Sequence, residues 1–123
     1  MKKRILVVDD QPGFTRMIKR ILEQTGLYEV RMENLARKAI DAAREFRPDL
    51  ILLDVMMPGM LGSEVAAQLQ QDSELSSIKF AFITAVVSKA DVQDAGAQIG
   101  GHEFIAKPIG AEDLCRFVEK KLQ

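Results

Sequence analysis

Pro48-Asp49-Leu50-Ile51-Leu52-Leu53-Asp54-Val55-Met56-Met57-Pro58-Gly59-Met60 is the stretch that decides the fold. Four consecutive apolar residues, Leu50 to Leu53, run without alternation into an acid and then into a Pro-Gly turn. A strand buried on one face alternates apolar with polar residues. An unbroken run suits a strand covered on both faces, as in a parallel sheet between two helical layers. Similar runs occur at Ile5-Leu6-Val7-Val8, Phe80-Ala81-Phe82-Ile83 and Phe104-Ile105-Ala106. Tyr28 to Met32 alternates instead, which predicts a more exposed edge strand.

Between these runs the apolar period becomes helical. Phe14, Met17, Ile18, Ile21 and Leu22 form one stripe, in a helix expected from Pro12 to a C-terminal cap at Gly26. Further helices are expected over Leu35–Phe46 (closed by Pro48), Gly62–Gln71, Lys89–Ile99 (interrupted by Gly96) and Ala111–Leu122. Strand and helix alternate five times. That order predicts an α/β fold, a doubly wound five-stranded parallel sheet flanked by five helices, as one domain over residues 1–123.

Composition narrows the function. A net charge of −1 offers no field to draw nucleic acid or an anionic membrane. The single cysteine, Cys115, permits no intrachain disulfide and falls in an apolar-periodic stretch, so a core thiol is expected. After Met1-Lys2-Lys3-Arg4 only four apolar residues precede Asp9, too few for a signal peptide, and no run approaches the length of a membrane helix. The expected location is cytoplasmic.

In such sheets ligands gather outside the carboxyl ends of the strands. Asp9 and Asp10 follow the first run, Asp54 the second, Thr84 the third, and Lys107 with Pro108 the last. Two carboxylates about 5 Å apart repel by roughly 3 kcal/mol at an effective dielectric near 20. A fold that keeps three together usually has a cation to place there. The all-oxygen set suits Mg²⁺ or Mn²⁺ rather than zinc, and Mg²⁺ commonly also takes a phosphate oxygen. Phosphoryl chemistry is the reading that follows.

The segments Ile5–Asp10, Pro48–Met60, Ile83-Thr84-Ala85 and Phe104–Pro108 resemble, in order and spacing, the four signature segments of response-regulator receiver domains. The resemblance covers essentially the whole chain and implies the flavodoxin-like (βα)5 receiver fold. It implies that Asp54 accepts a phosphoryl group from a phosphohistidine on a sensor histidine kinase or phosphotransfer protein. Asp9, Asp10, Asp54 and the backbone carbonyl of Met56 would hold Mg²⁺ (or Mn²⁺), and Lys107 would add a second cation, aimed inward by a cis Lys107–Pro108 peptide. Thr84 would turn toward the new phosphoryl oxygens, and Phe104 would move from exposed to buried. The signal would reach an output face formed by the Lys89 helix, the Phe104 strand and the last helix, and so a downstream output domain or protein. The kinase would dock against the first helix and the loop after Pro108.

Two departures from the family pattern stand out. Leu61 replaces the aspartate of a Pro-Gly-Met-Asp-Gly turn, which should alter the loop surface only. Met56 and Val86, two residues beyond Asp54 and Thr84, cannot orient a water by hydrogen bonding, so slow self-dephosphorylation is expected. His102 is expected in a surface loop before the last strand, without a chemical role. Rival readings lack their own residues. A haloacid-dehalogenase-type phosphatase wants an acid where Met56 stands, a flavin binder wants a Ser/Thr-rich phosphate loop where Asp9-Asp10 stand, and no glycine-rich nucleotide loop occurs. A degenerate receiver, acting as a phosphorylation-independent interaction module, would ordinarily lack Asp10, Asp54 or Lys107; all three are present.

Overall fold

The computed structural model describes residues 2–84, 98–99, 102–107 and 109–123. Strands β1 (Lys3–Val8), β2 (Tyr28–Glu33), β3 (Leu50–Asp54), β4 (Lys79–Thr84), β5 (Gln98–Ile99) and β6 (His102–Ala106) lie in one sheet in the order β2-β1-β3-β4-β6-β5. Five of them are parallel, and β2 occupies an edge as its alternation predicts. Helices α1 (Pro12–Gln24), α2 (Ala39–Phe46), α3 (Gly62–Gln71) and α4 (Ala111–Leu122) cover the faces.

The unbroken apolar runs divide by parity. Leu6, Val8, Ile51, Leu53, Phe82 and Phe104 join one core cluster with Ala42 and Ala43 of α2 and Val65 and Leu69 of α3. Ile5, Val7, Leu50, Leu52, Ile83 and Ile105 join the other with Ile18 and Leu22 of α1 and Leu114 and Val118 of α4. Successive strand residues point to opposite faces, so a strand roofed on both sides must be apolar at every position. Leu6, Leu50, Leu52 and Leu53 have no solvent exposure, and each such side chain contributes about 1.5–3 kcal/mol by leaving water.

The helix ends follow local chemistry. Pro12 opens α1, where its missing N–H costs nothing. Gly26, at φ +78°, turns the chain beyond α1 as expected of a glycine there. Arg47 ends α2 in the left-handed region at φ 54°, its N–H donating to the Ala43 carbonyl. The helix expected from Leu35 begins instead with a 3₁₀ turn at Ala36–Lys38, since no side chain caps that end. Leu61 sits at the N-cap of α3 and makes no side-chain cap bond, so the departure at this position costs the helix a cap as well as changing the loop surface.

Two expectations need correction. The helix expected over Lys89–Ile99 lies outside the described residues except for its last two, and those form strand β5, antiparallel to β6. Ile99 pairs with His102 and Gln98 with Glu103, and this antiparallel pairing overrode the helical pattern. His102 therefore belongs to a strand rather than a loop. The Lys107–Pro108 peptide and Val86 also lie outside the described residues. No helix among the described residues is long and apolar enough to cross a membrane.

Gly62 links this frame to the end of β3. Its N–H donates to the Val55 carbonyl at 2.9 Å, and a Cβ added there would lie 3.1 Å from both Asp54 C and Val55 Cα and closer still to the Asp54 carbonyl oxygen. Gly62→Ala is expected to destabilise the fold by about 1–3 kcal/mol, read as a lower urea midpoint, because backbone rather than a flexible side chain must give way.

Candidate functional site

Every side chain singled out at a strand end arrives at the same edge of the sheet. Asp9 follows β1, Asp54 ends β3, Thr84 ends β4, and Lys107 follows β6. Backbone bonds fix these ends. The Asp9 N–H donates to the Glu33 carbonyl, the Val55 N–H to Ile83, and the Lys107 N–H to Thr84 at 2.8 Å. Asn34 holds the Asp9 backbone from the far side, donating from Nδ2 to the Asp9 carbonyl (2.8 Å) and to Thr15 Oγ1 (3.1 Å).

Three carboxylates converge. Asp9, Asp10 and Asp54 each offer an oxygen within 4.8 Å of the others. Asp9 is fully buried, Asp54 is 5% exposed, and Thr84 is buried beside them. Asp9 Oδ1 accepts the Gln11 N–H at 2.9 Å, whereas Asp9 Oδ2 faces the lysine that follows β6. The Lys107 ammonium lies 2.6 Å from that oxygen and 3.8 Å from Asp54 Oδ1.

Burial, the principal cause, together with the Asp9 charge pushes the Asp54 carboxyl up to about 6; Lys107 opposes the shift, and a hydrogen-bonded contact and the charge of Asp10 add to it. Three convergent acids, two of them buried and sharing one lysine, and an all-oxygen donor set fit a small hard cation. Lys107 supplies only part of the charge that this cluster calls for.

The remaining residues fall as follows. Met56 has a side chain 56% exposed beside the site, while Met57 turns into the core. Phe104 pairs in register with Phe82 and is only 4% exposed, so it stands where the expected switch ends rather than where it begins. Cys115 is half-buried against the α1/α4 core cluster, less enclosed than the core thiol expected. Sequence reasoning missed Gln11, Phe14 and Asn34 as neighbours of the site. Gln11 Oε1 accepts from Lys107 Nζ at 3.2 Å, and that nitrogen lies 4.3 Å from the centre of the Phe14 ring. Phe14 had been absorbed into the apolar stripe of α1, and only its place in the first helical turn, close after Asp10, could have separated it.

Comparisons with known proteins agree with this geometry. The family model for the response regulator receiver domain matches residues 5–119. The chain is 35% identical over 123 residues to the DNA-binding response regulator MtrA of Mycobacterium tuberculosis, covering all of this chain and 52% of that protein. It is 35% identical over 119 residues to the polar-differentiation response regulator DivK of Brucella anthropi, covering 97% of this chain and 93% of that one. The chain thus spans about half the length of the MtrA relatives and nearly all of DivK. Among solved structures, the chemotaxis protein CheY4 of Vibrio cholerae superposes with a TM-score of 0.84 at 28% identity, covering 99% of this chain and 100% of that one. With its parallel sheet, its acidic strand-end cluster and a family match over nearly its whole length, this chain belongs to the response regulator receiver domains, the signalling domains of two-component systems.

Proposed function

We propose that the chain is a phosphorylation switch in which Asp54 takes a phosphoryl group from a phosphohistidine of a sensor histidine kinase or phosphotransfer protein. The observation that carries this reading is the enclosure of Asp54 by Asp9, Asp10 and Lys107 at one strand-end edge. An Asp54 carboxylate oxygen forms the new O–P bond as the P–N bond of the phosphoimidazole breaks, and the ring nitrogen keeps the electron pair. Such a transfer needs mainly positioning and charge stabilisation. Asp9, Asp10, Asp54 and the backbone carbonyl of Met56 would hold Mg²⁺ (or Mn²⁺), which when bound would neutralise the negative charge gathered around an incoming phosphoryl group. Lys107 adds positive charge from the β6 side, on a side chain that carries donors and no acceptor of its own.

Thr84 and Phe104 relay the change in this reading, toward an output face of β6, α4 and the segment from Lys89. With Phe104 already buried, the relay would act by holding that ring in place as Thr84 turns. The lack of basic excess supports output through another domain or protein rather than direct nucleic-acid contact. We assign the chain to the cytoplasm, as one receiver domain over residues 1–123.

With Mg²⁺ and acetyl phosphate, the protein is expected to gain one phosphoryl group by intact mass, and Asp54→Asn to gain none. Uptake that persists in Asp54→Asn would overturn the assignment of the acceptor.

The raised Asp54 carboxyl gives a second test in EDTA. A folded-state value near 6, above the ordinary 3.8, means that the native chain binds this proton more tightly than the unfolded one. The associated stability is complete below the unfolded value and is lost as pH rises through about 6. The melting temperature of the metal-free protein should therefore carry a decline between about pH 4 and about pH 6. Asp54→Asn should flatten that decline and melt higher than the parent at neutral pH.

Met56 and Val86 make the phosphorylated form long-lived in this reading. Met56→Asn restores a group able to bond the attacking water. One hydrogen bond of about 1 kcal/mol corresponds to roughly fivefold faster loss of the phosphoryl group, followed by phosphorus NMR. A parent lifetime of only seconds, unchanged in Met56→Asn, would sink the idea.

A further inference from the structure

The first turn of α1 encloses the Lys107 ammonium on sides where no carboxylate stands. Gln11 is the N-cap residue of α1, yet its side chain makes no capping bond. Its Oε1 instead accepts from Lys107 Nζ at 3.2 Å, across 96 residues of chain. Phe14 lies three residues on, its N–H donating to the Gln11 carbonyl at 3.1 Å, so the two side chains share one face of the turn. The ring presents its π system to the same ammonium at 4.3 Å. Asp9 at 2.6 Å and Asp54 at 3.8 Å complete the surroundings. Only 13% of the Lys107 side chain is exposed.

We propose that Phe14 and Gln11 are positioning residues for Lys107, forming a seat that keeps the ammonium between Asp9 and Asp54. The inference deepens the phosphorylation reading above and rests on it for its kinetic consequence. A lysine has a flexible four-carbon stem and a strongly hydrated head, so left to itself it samples solvent. An aromatic face attracts a cation without neutralising it, and a carboxamide oxygen bonds it without adding charge. The seat therefore orders the ammonium while leaving its charge available to the acceptor. It also sets a competition. Asp9 Oδ2 is ion-paired with the ammonium at 2.6 Å, so a divalent cation at Asp9 has to share that oxygen with Lys107 or displace the lysine from it.

Phe14 also packs against the core cluster of α1 and α4, so the test must separate seat from packing. Phe14→Leu keeps apolar bulk and loses the ring face, Phe14→Tyr keeps the face, and Gln11→Ala keeps the backbone N–H bond to Asp9. NMR of the Lys107 methylene groups should show an upfield ring-current shift in the parent and Phe14→Tyr, lost in Phe14→Leu. Uptake from acetyl phosphate at saturating Mg²⁺ should slow about two- to fivefold in Phe14→Leu and recover in Phe14→Tyr, while Mg²⁺ should bind tighter by about the same factor. Gln11→Ala should move both quantities in the same directions.

Slower uptake with tighter Mg²⁺ is the signature of a loosened lysine, because general damage to the site weakens both. Uptake and Mg²⁺ affinity falling together, or an unchanged methylene shift in Phe14→Leu, would overturn the seat. Absence of uptake in the parent protein would instead overturn the acceptor reading, and the methylene shift and Mg²⁺ affinity would still judge the seat.

Discussion

Repulsion among Asp9, Asp10 and Asp54 governs how the rest of the molecule is built. Its own burial, with the charges of Asp9 and Asp10 beside it, pushes Asp54 toward the protonated form. The three acids stay together because none of them is free to leave. Each follows or ends a strand whose neighbours are locked by ladder bonds, and the two apolar clusters hold those strands from both faces. The hydrophobic core thus supplies the work that keeps a costly polar arrangement in place, a common bargain at functional sites.

Lys107 meets part of that electrostatic demand and shows why the demand cannot be met entirely from within. One ammonium serves two carboxylates at unequal distances, 2.6 Å from Asp9 Oδ2 and 3.8 Å from Asp54 Oδ1. A site with acids in excess over cations is receptive to a metal and sensitive to any change in its charge. That receptivity, more than any single side chain, is what suits the arrangement to signalling.

Much of this was legible in the sequence because burial on two faces writes itself as uninterrupted apolar runs, and Asp9, Asp10, Asp54, Thr84 and Lys107 each follow such a run. The alternation at Tyr28–Met32 likewise placed β2 at an edge. What escaped was set by contacts distant in sequence or by pairing that competes with a local pattern. Gln98-Ile99 continues a helical stripe but is claimed by β6. Phe104 stands where the resemblance implied an exposed ring, and packing with Phe82 and its neighbours puts the ring inside. Nothing in Gln11-Pro12-Gly13-Phe14 announces a partner at Lys107, since that pairing exists only once β1 and β6 stand in one sheet.

The parity of the strands has a consequence for how such a chain can change over evolutionary time. Residues of β1 and β3 belong alternately to two separate cores, and the site residues are the next steps in the same alternation. Replacing one apolar residue by another disturbs one core at one place. Inserting or deleting a single residue within a strand would exchange its two faces and turn the terminal acid to the opposite side of the sheet. Connections such as residues 72–78 can absorb a change of length that a strand cannot, so the reading frame of the fold is as fixed as the acids it delivers.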